Sequence, residues 1–194
     1  MVPMIRVAVV DDHPAIRAGL AMVLDDEPDM SHVGGAASVA EVEHLIYRTR
    51  PDVVVLDYHL PDGNGLEVAR AIKSCVPAPK IVLYSAYADA SFAVPGLIAG
   101  VDGIVNKSGQ TNELFEAIRT VAAGERALPE LTPALLQAAG RTLDAEDLPI
   151  LGMLVERTAP RDIAAVLRCS AEELQRRLTR MLSALRMPRG PRTA

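Results

Sequence analysis

Tryptophan is absent from this 194-residue chain, and only six aromatic residues occur: Tyr47, Tyr58, Tyr84, Tyr87, Phe92 and Phe115. A core must therefore be built from Val, Leu, Ile, Ala and Met. Cysteine is almost absent too. Cys75 and Cys169 are far apart and fit no metal or disulfide spacing. Two stray cysteines indicate a reducing compartment, hence the cytoplasm. No apolar run approaches the ~18 residues needed to span a bilayer, so no membrane role is expected. Met1–Arg6 has no secretory signal pattern. Yet 49% of the residues are apolar, which excludes wholesale disorder. The length allows one medium domain or two small ones.

Charge is unevenly placed. Residues 1–127 hold 17 acids and 10 bases, whereas residues 128–194 hold 8 acids and 10 bases. No acid follows Glu173, but Arg176, Arg177, Arg180, Arg186, Arg189 and Arg192 do. An acidic front and a basic tail point to two domains with different partners, the second a polyanion.

Short apolar runs mark strands: Ile5–Val10, Ser31–Ala37, Val53–Leu56, Lys80–Tyr84 and Gly103–Val105. Helical patterns separate them. Pro14 opens the first, with Ile16, Leu20, Val23 and Leu24 on one face. Ser38 and Glu41 form a capping box for the second. Asn64–Ser74 is the third. Asp89–Ala99 is the fourth, which Pro95-Gly96 should kink or shorten. Leu114, Ile118 and Val121 mark the fifth, ended by Gly124. Five such alternations predict a parallel sheet with helices on both faces.

In that architecture ligands bind beyond the carboxyl ends of the strands. Asp11 and Asp12 follow the first strand and Asp57 the third. Ser85 follows the fourth, and Lys107 the fifth. Three crowded carboxylates need a counter-charge. Oxygen-only ligands favour Mg²⁺ over zinc. An Asp beside Mg²⁺ and a Lys is placed to attack a phosphoryl group, and Ser85 to hydrogen-bond the product. His13, beside the acidic pair, reads as a loop residue. His32 and His44 have no partner cluster.

The blocks VVDDHPAIRAGL, VVLDYHLPDGNGLEVARAI, IVLYSAY and GVDGIVNKS resemble the receiver domain of bacterial response regulators over about residues 4–125. The resemblance implies a five-stranded parallel, doubly wound, flavodoxin-like fold. It implies that Asp57 takes phosphate from a sensor histidine kinase. Asp11, Asp12 and Asp57 would hold Mg²⁺, together with the backbone carbonyl of His59. Ser85 takes the switch-hydroxyl position and Lys107 that of the phosphoryl-binding lysine. Pro61 and Gly65 match the turn after the acceptor Asp. Two positions depart from the family. Ile104 stands where Tyr or Phe is usual, and Pro95-Gly96 interrupts the helix of the usual signalling face.

The second half is helical. Thr132-Pro133 starts a short helix in the connector, ended by Gly140. Asp144 and Asp147 bracket a capping-box-like start, and Pro149 sits awkwardly in the first two turns. Pro160 begins a further helix. Ser170-Ala171-Glu172-Glu173 caps the last, whose apolar stripe is Leu174, Leu178, Met181, Leu182 and Leu185. RDIAAVLRCSAEELQRRLTRMLSAL resembles the LuxR-type helix-turn-helix of the NarL/FixJ response regulators. That resemblance implies DNA binding, through Gln175, Arg176, Thr179 and Arg180, and a homodimer.

It also brings departures. Leu143–Asp147 replaces the usual Leu-Thr-x-Arg-Glu, and Arg157 replaces a Gly. Glu172 and Glu173 replace the Lys and Thr that serve DNA contact. An acid there repels phosphate, and Glu172 is expected to pair with Arg176. The expected layout is a receiver at 1–125, a linker at 126–142, the helix-turn-helix at 143–187 and a basic tail at 188–194. The expected function is Asp57-phosphorylation-dependent transcriptional control, with no multiple-turnover catalysis. The alternative is a C-terminal domain that serves protein interaction or dimerisation without DNA.

Overall fold

The computed structural model describes residues 4–75 and 77–185. The Arg186, Arg189 and Arg192 of the basic tail lie outside these, as does the 188–194 segment itself.

Five parallel strands form one sheet: β1 Ile5–Val10, β2 Met30–Ala36, β3 Val53–Leu56, β6 Lys80–Ser85 and β7 Gly103–Asn106. A two-stranded hairpin, β4 His59–Leu60 with β5 Gly63–Asn64, lies between β3 and the next helix. The order β2-β1-β3-β6-β7 reverses direction between β1 and β3, as in the flavodoxin-like doubly wound fold. The three central strands β1, β3 and β6 are continuous Val/Leu/Ile runs because both faces are covered.

The helices of this part are α1 Pro14–Asp25, α2 Val39–Thr49, α3 Gly65–Ile72, α4 Ala93–Ala99 and α5 Thr111–Ala122. One face of the sheet, through Val7, Val9, Val53, Val55 and Val82, packs on α1 and α5. The other, through Ala8, Val10, Val54, Leu56, Ile81 and Leu83, packs on α2 and α3.

Several local expectations need correction. Ser38 makes no side-chain capping bond. The α2 terminus is capped from a distance: Asp62 accepts from the amides of Val39 and Ala40, at 2.8 and 3.1 Å. Glu41 turns back to the Ala37 amide. Asn64 precedes α3 as its cap, accepting from the Glu67 amide at 3.0 Å. The fourth helix is shortened, as expected: of residues 89–99 only Ala93–Ala99 is α-helical. A 3-10 turn at Ala90–Phe92 comes first, so Pro95 falls in the first turn of α4, where no amide bond is lost.

The C-terminal part comprises α6 Pro133–Thr142, α7 Leu148–Val155, α8 Pro160–Leu167 and α9 Ala171–Ala184. Thr132 caps α6 as expected, but Gly140 lies inside that helix. Asp144 makes no capping bond, and residues 145–147 form a 3-10 turn. Pro149 is harmless there, because it lies in the first turn of α7. Pro160 opens α8, and Ser170 caps α9 by accepting from the Glu173 amide.

The two parts share a core. Every residue of α4 is buried. Its Val94, Leu97 and Ile98 pack in one cluster with Ile150, Leu154, Ile163, Leu174 and Leu178. No described helix is long and apolar enough to cross a membrane.

Candidate functional site

The parallel sheet delivers the expected residues to one edge. Asp11 and Asp12 follow β1, Asp57 follows β3 and Lys107 follows β7. Ser85 is the last residue of β6 rather than the first beyond it. Backbone bonds hold the ends in register: Asp57 N–H donates to Val10 at 2.8 Å, and Lys107 N–H to the Ser85 carbonyl at 3.0 Å.

Carboxylate oxygens of Asp11, Asp12 and Asp57 and a ring nitrogen of His13 lie within 4.8 Å of one another. Lys107 Nζ stands 2.6 Å from Asp11 Oδ2 and 2.7 Å from Asp57 Oδ2. Asp57 is 4% exposed. Burial pushes its carboxyl above the ordinary value, and Lys107 offsets only part of this. Burial also opposes the Lys107 charge, but the Asp11 and Asp57 carboxylates outweigh it and hold that ammonium above its ordinary value. One ammonium against three carboxylates leaves net negative charge in a donor set that is oxygen apart from the His13 ring nitrogen. That is the donor chemistry of a hard divalent cation.

The loop after Asp57 is set by Gly65. A β-carbon there would stand 2.4 Å from the Asp57 carbonyl oxygen, so no larger residue fits without moving the acceptor's own backbone. The Gly65 amide donates to Tyr58 at 2.7 Å. His59 donates its amide to the Asp57 carboxylate. Its ring packs edge-on against Tyr58 and Tyr87, at 4.7 and 5.4 Å between centroids. Ser85 is fully buried, and its hydroxyl accepts from the Tyr87 amide at 3.3 Å.

Sequence reasoning missed two features. His13 Nδ1 lies 2.6 Å from Asp12 Oδ1 and 3.3 Å from Asp11 Oδ1, so it belongs to the cluster and is more than a loop residue. The contiguous Asp-Asp-His was the available signal. Asn106 donates its side-chain amide to the Ala88 carbonyl at 2.8 Å, tying β7 to the loop after β6. Nothing in the sequence marked it.

The four residues expected to contact DNA all lie on α9, and its two arginines among them are already engaged by carboxylates. Arg176 pairs with Glu173, through Nε at 3.1 Å, and not with Glu172. Arg180 bonds Asp147 Oδ2 at 2.9 Å and Glu146 Oε1 at 2.7 Å. Asp147 is 1% exposed and also takes Arg177 Nε at 2.7 Å. Gln175 and Thr179 face α3 across a cleft.

Known proteins agree with this architecture. The response regulator receiver domain matches residues 7–119. The DNA-binding transcriptional activator DevR/DosR of Mycobacterium tuberculosis is 32% identical over 98% of this chain and 93% of its own. The transcriptional regulatory protein LiaR of Bacillus subtilis is 28% identical, over 94% and 91%. A solved LuxR-family response regulator from Aurantimonas is 34% identical with a TM-score of 0.61. It covers 71% of this chain and 98% of its own. RcsB of Salmonella enterica bound to promoter rprA shares the fold, with a TM-score of 0.60 at 21% identity and coverage of 95% and 94%. This chain belongs to the response regulators that carry a receiver domain, of the NarL/FixJ type.

Proposed function

We propose that this response regulator takes a phosphoryl group onto Asp57 from a sensor histidine kinase and thereby controls transcription through its C-terminal helices. The convergence of Asp11, Asp12, Asp57 and Lys107 carries this reading. Asp11, Asp12, Asp57 and the His59 backbone carbonyl would hold Mg²⁺. When bound, the ion supplies positive charge that neutralises the transferring phosphoryl oxygens. A carboxylate oxygen of Asp57 attacks phosphorus while the bond to the donor's imidazole nitrogen breaks. The Lys107 ammonium pairs with the phosphoryl oxygens, and the Ser85 hydroxyl donates to one of them. The protein is a self-modifying signal transducer and not a turnover enzyme.

The layout we assign is receiver 1–125, linker 126–142, helix-turn-helix 143–187 and basic tail 188–194. By analogy with DevR/DosR, named a DNA-binding transcriptional activator, the output is DNA binding by a homodimer. Gln175, Arg176, Thr179 and Arg180 would contact the DNA.

One observation favours a second reading. Arg176 and Arg180 are already neutralised by Glu173, Glu146 and Asp147, and α9 faces the receiver. A helix so engaged suits protein interaction or dimerisation without DNA. Capture of genomic fragments, with and without a phosphoryl mimic and Mg²⁺, separates the two. The first reading expects a few enriched sites, stronger with the mimic, lost in Arg176→Ala/Arg180→Ala, and weakening steeply with salt. No enrichment in either state, with the mimic still bound, establishes the second.

A further inference from the structure

Between α3 of the receiver and α9 of the C-terminal part lies an open cleft of about 990 Å³. Asn64, Glu67, Arg70 and Ser74 line one wall, and Gln175 and Ser183 the other. Arg70 is the unusual member. It is 8% exposed, yet no carboxylate pairs with it among the described residues. Its side-chain bond is a long one, from Nη1 to the Ile98 carbonyl at 3.4 Å. Nε and Nη2 are enclosed without any acceptor. Burial pushes the guanidinium down to about 10, still charged at neutral pH.

A buried charge without a partner is costly, and a guanidinium is built to grip oxyanions with two parallel N–H donors. Glu67, one turn earlier on α3, supplies no acceptor to Arg70 Nε or Nη2. The hydroxyls of Ser74 and Ser183 are spent on backbone carbonyls one turn earlier, of Arg70 and Thr179. The Gln175 amide, with no side-chain bond among the described residues, faces the cleft as a second donor.

We propose that the cleft between α3 and α9 binds a small oxyanion, held by the Arg70 guanidinium on one wall and the Gln175 amide on the other. Arg70 exchanges its long bond to Ile98 for the ligand by turning toward the cleft. A ligand bridging the two walls fastens α9 to the receiver. The site is separate from the phosphoacceptor pocket, and the inference stands whatever α9 binds.

The test uses the full chain and inorganic phosphate, without Mg²⁺, with ionic strength held constant by chloride. The expected result is a saturable rise in Tm for the wild type. Lys107→Ala, which disables the phosphoacceptor pocket, should keep that rise. Arg70→Met should lose it while being at least as stable as wild type without phosphate, because an unpaired buried charge has been removed. Gln175→Ala should raise the half-saturating concentration about tenfold, the weight of one hydrogen bond to a charged group. The proposal is overturned if the wild type shows no saturable rise, if Arg70→Met keeps it, or if Lys107→Ala abolishes it. In the last case phosphate occupies the phosphoacceptor pocket instead.

Discussion

Gly96 of α4 and Ile104 of β7 are pressed together: a β-carbon on Gly96 would stand 2.8 Å from Ile104 Cδ1. The two departures from the receiver pattern are therefore one feature. Ile104 packs beneath α4, which is buried in turn by the C-terminal helices. The chain substitutes a packed aliphatic contact for the usual aromatic.

This contact predicts an effect that depends on residue 104. In the wild type the β-carbon of Gly96→Ala pushes Ile104 Cδ1 aside, which offsets the helix-propensity gain of about 1 kcal/mol and leaves stability near that of the wild type. In an Ile104→Val background the offending methyl is gone, and the same substitution should stabilise. Urea denaturation of the four proteins gives the coupling. Equal effects in both backgrounds would contradict the contact.

The shared core predicts joint unfolding. Leu97 is buried among residues from both parts. Leu97→Ala should cost about 2–5 kcal/mol. Thermal unfolding followed by calorimetry should show one transition moving down as a unit. Two transitions, with only the receiver's shifted, would refute the shared core.

Arg157 stands in the left-handed region at φ 63, where the related pattern has glycine. A side chain there costs about 1–2 kcal/mol. The neighbouring Arg126 guanidinium is half-buried and lowered, first by burial and then by Arg157. Arg157→Gly removes both penalties and should stabilise the protein by about 1 kcal/mol in urea. A destabilised variant would show that the Arg157 side chain makes a favourable contact.

Arg119 grips Asp29 with two bonds of 2.8 Å and holds its carboxyl below the ordinary value. The folded state thus keeps Asp29 ionised where the unfolded state takes up a proton. The stabilisation is present above about pH 4, the ordinary value, and is lost as pH falls through the lowered one. Asp29→Asn should be less stable than wild type at pH 7, and the gap should narrow by pH 3. A gap independent of pH would mean that the bonds do not depend on the charge.

Much of this was legible in the sequence because period and position agree. The Val/Leu runs could only be two-sided parallel strands, and that topology gathers Asp11, Asp57 and Lys107 without further information. Long-range pairing was not legible. Asp62 capping α2 and Asp147 holding Arg177 and Arg180 join residues distant in the chain, and nothing local announces them. Glu172 and Glu173 were equally plausible partners for Arg176 by helical spacing, and only the side-chain geometry selects Glu173. Nor does any periodicity say that α4 would be covered by a second set of helices.

The most direct test of the account is phosphoryl incorporation measured by intact mass, with a small-molecule phosphoryl donor. Wild type should gain one phosphoryl group with Mg²⁺ and none when the metal is chelated. Asp57→Ala should gain none under either condition. Equal labelling of Asp57→Ala and wild type would contradict the assignment of Asp57 as the acceptor.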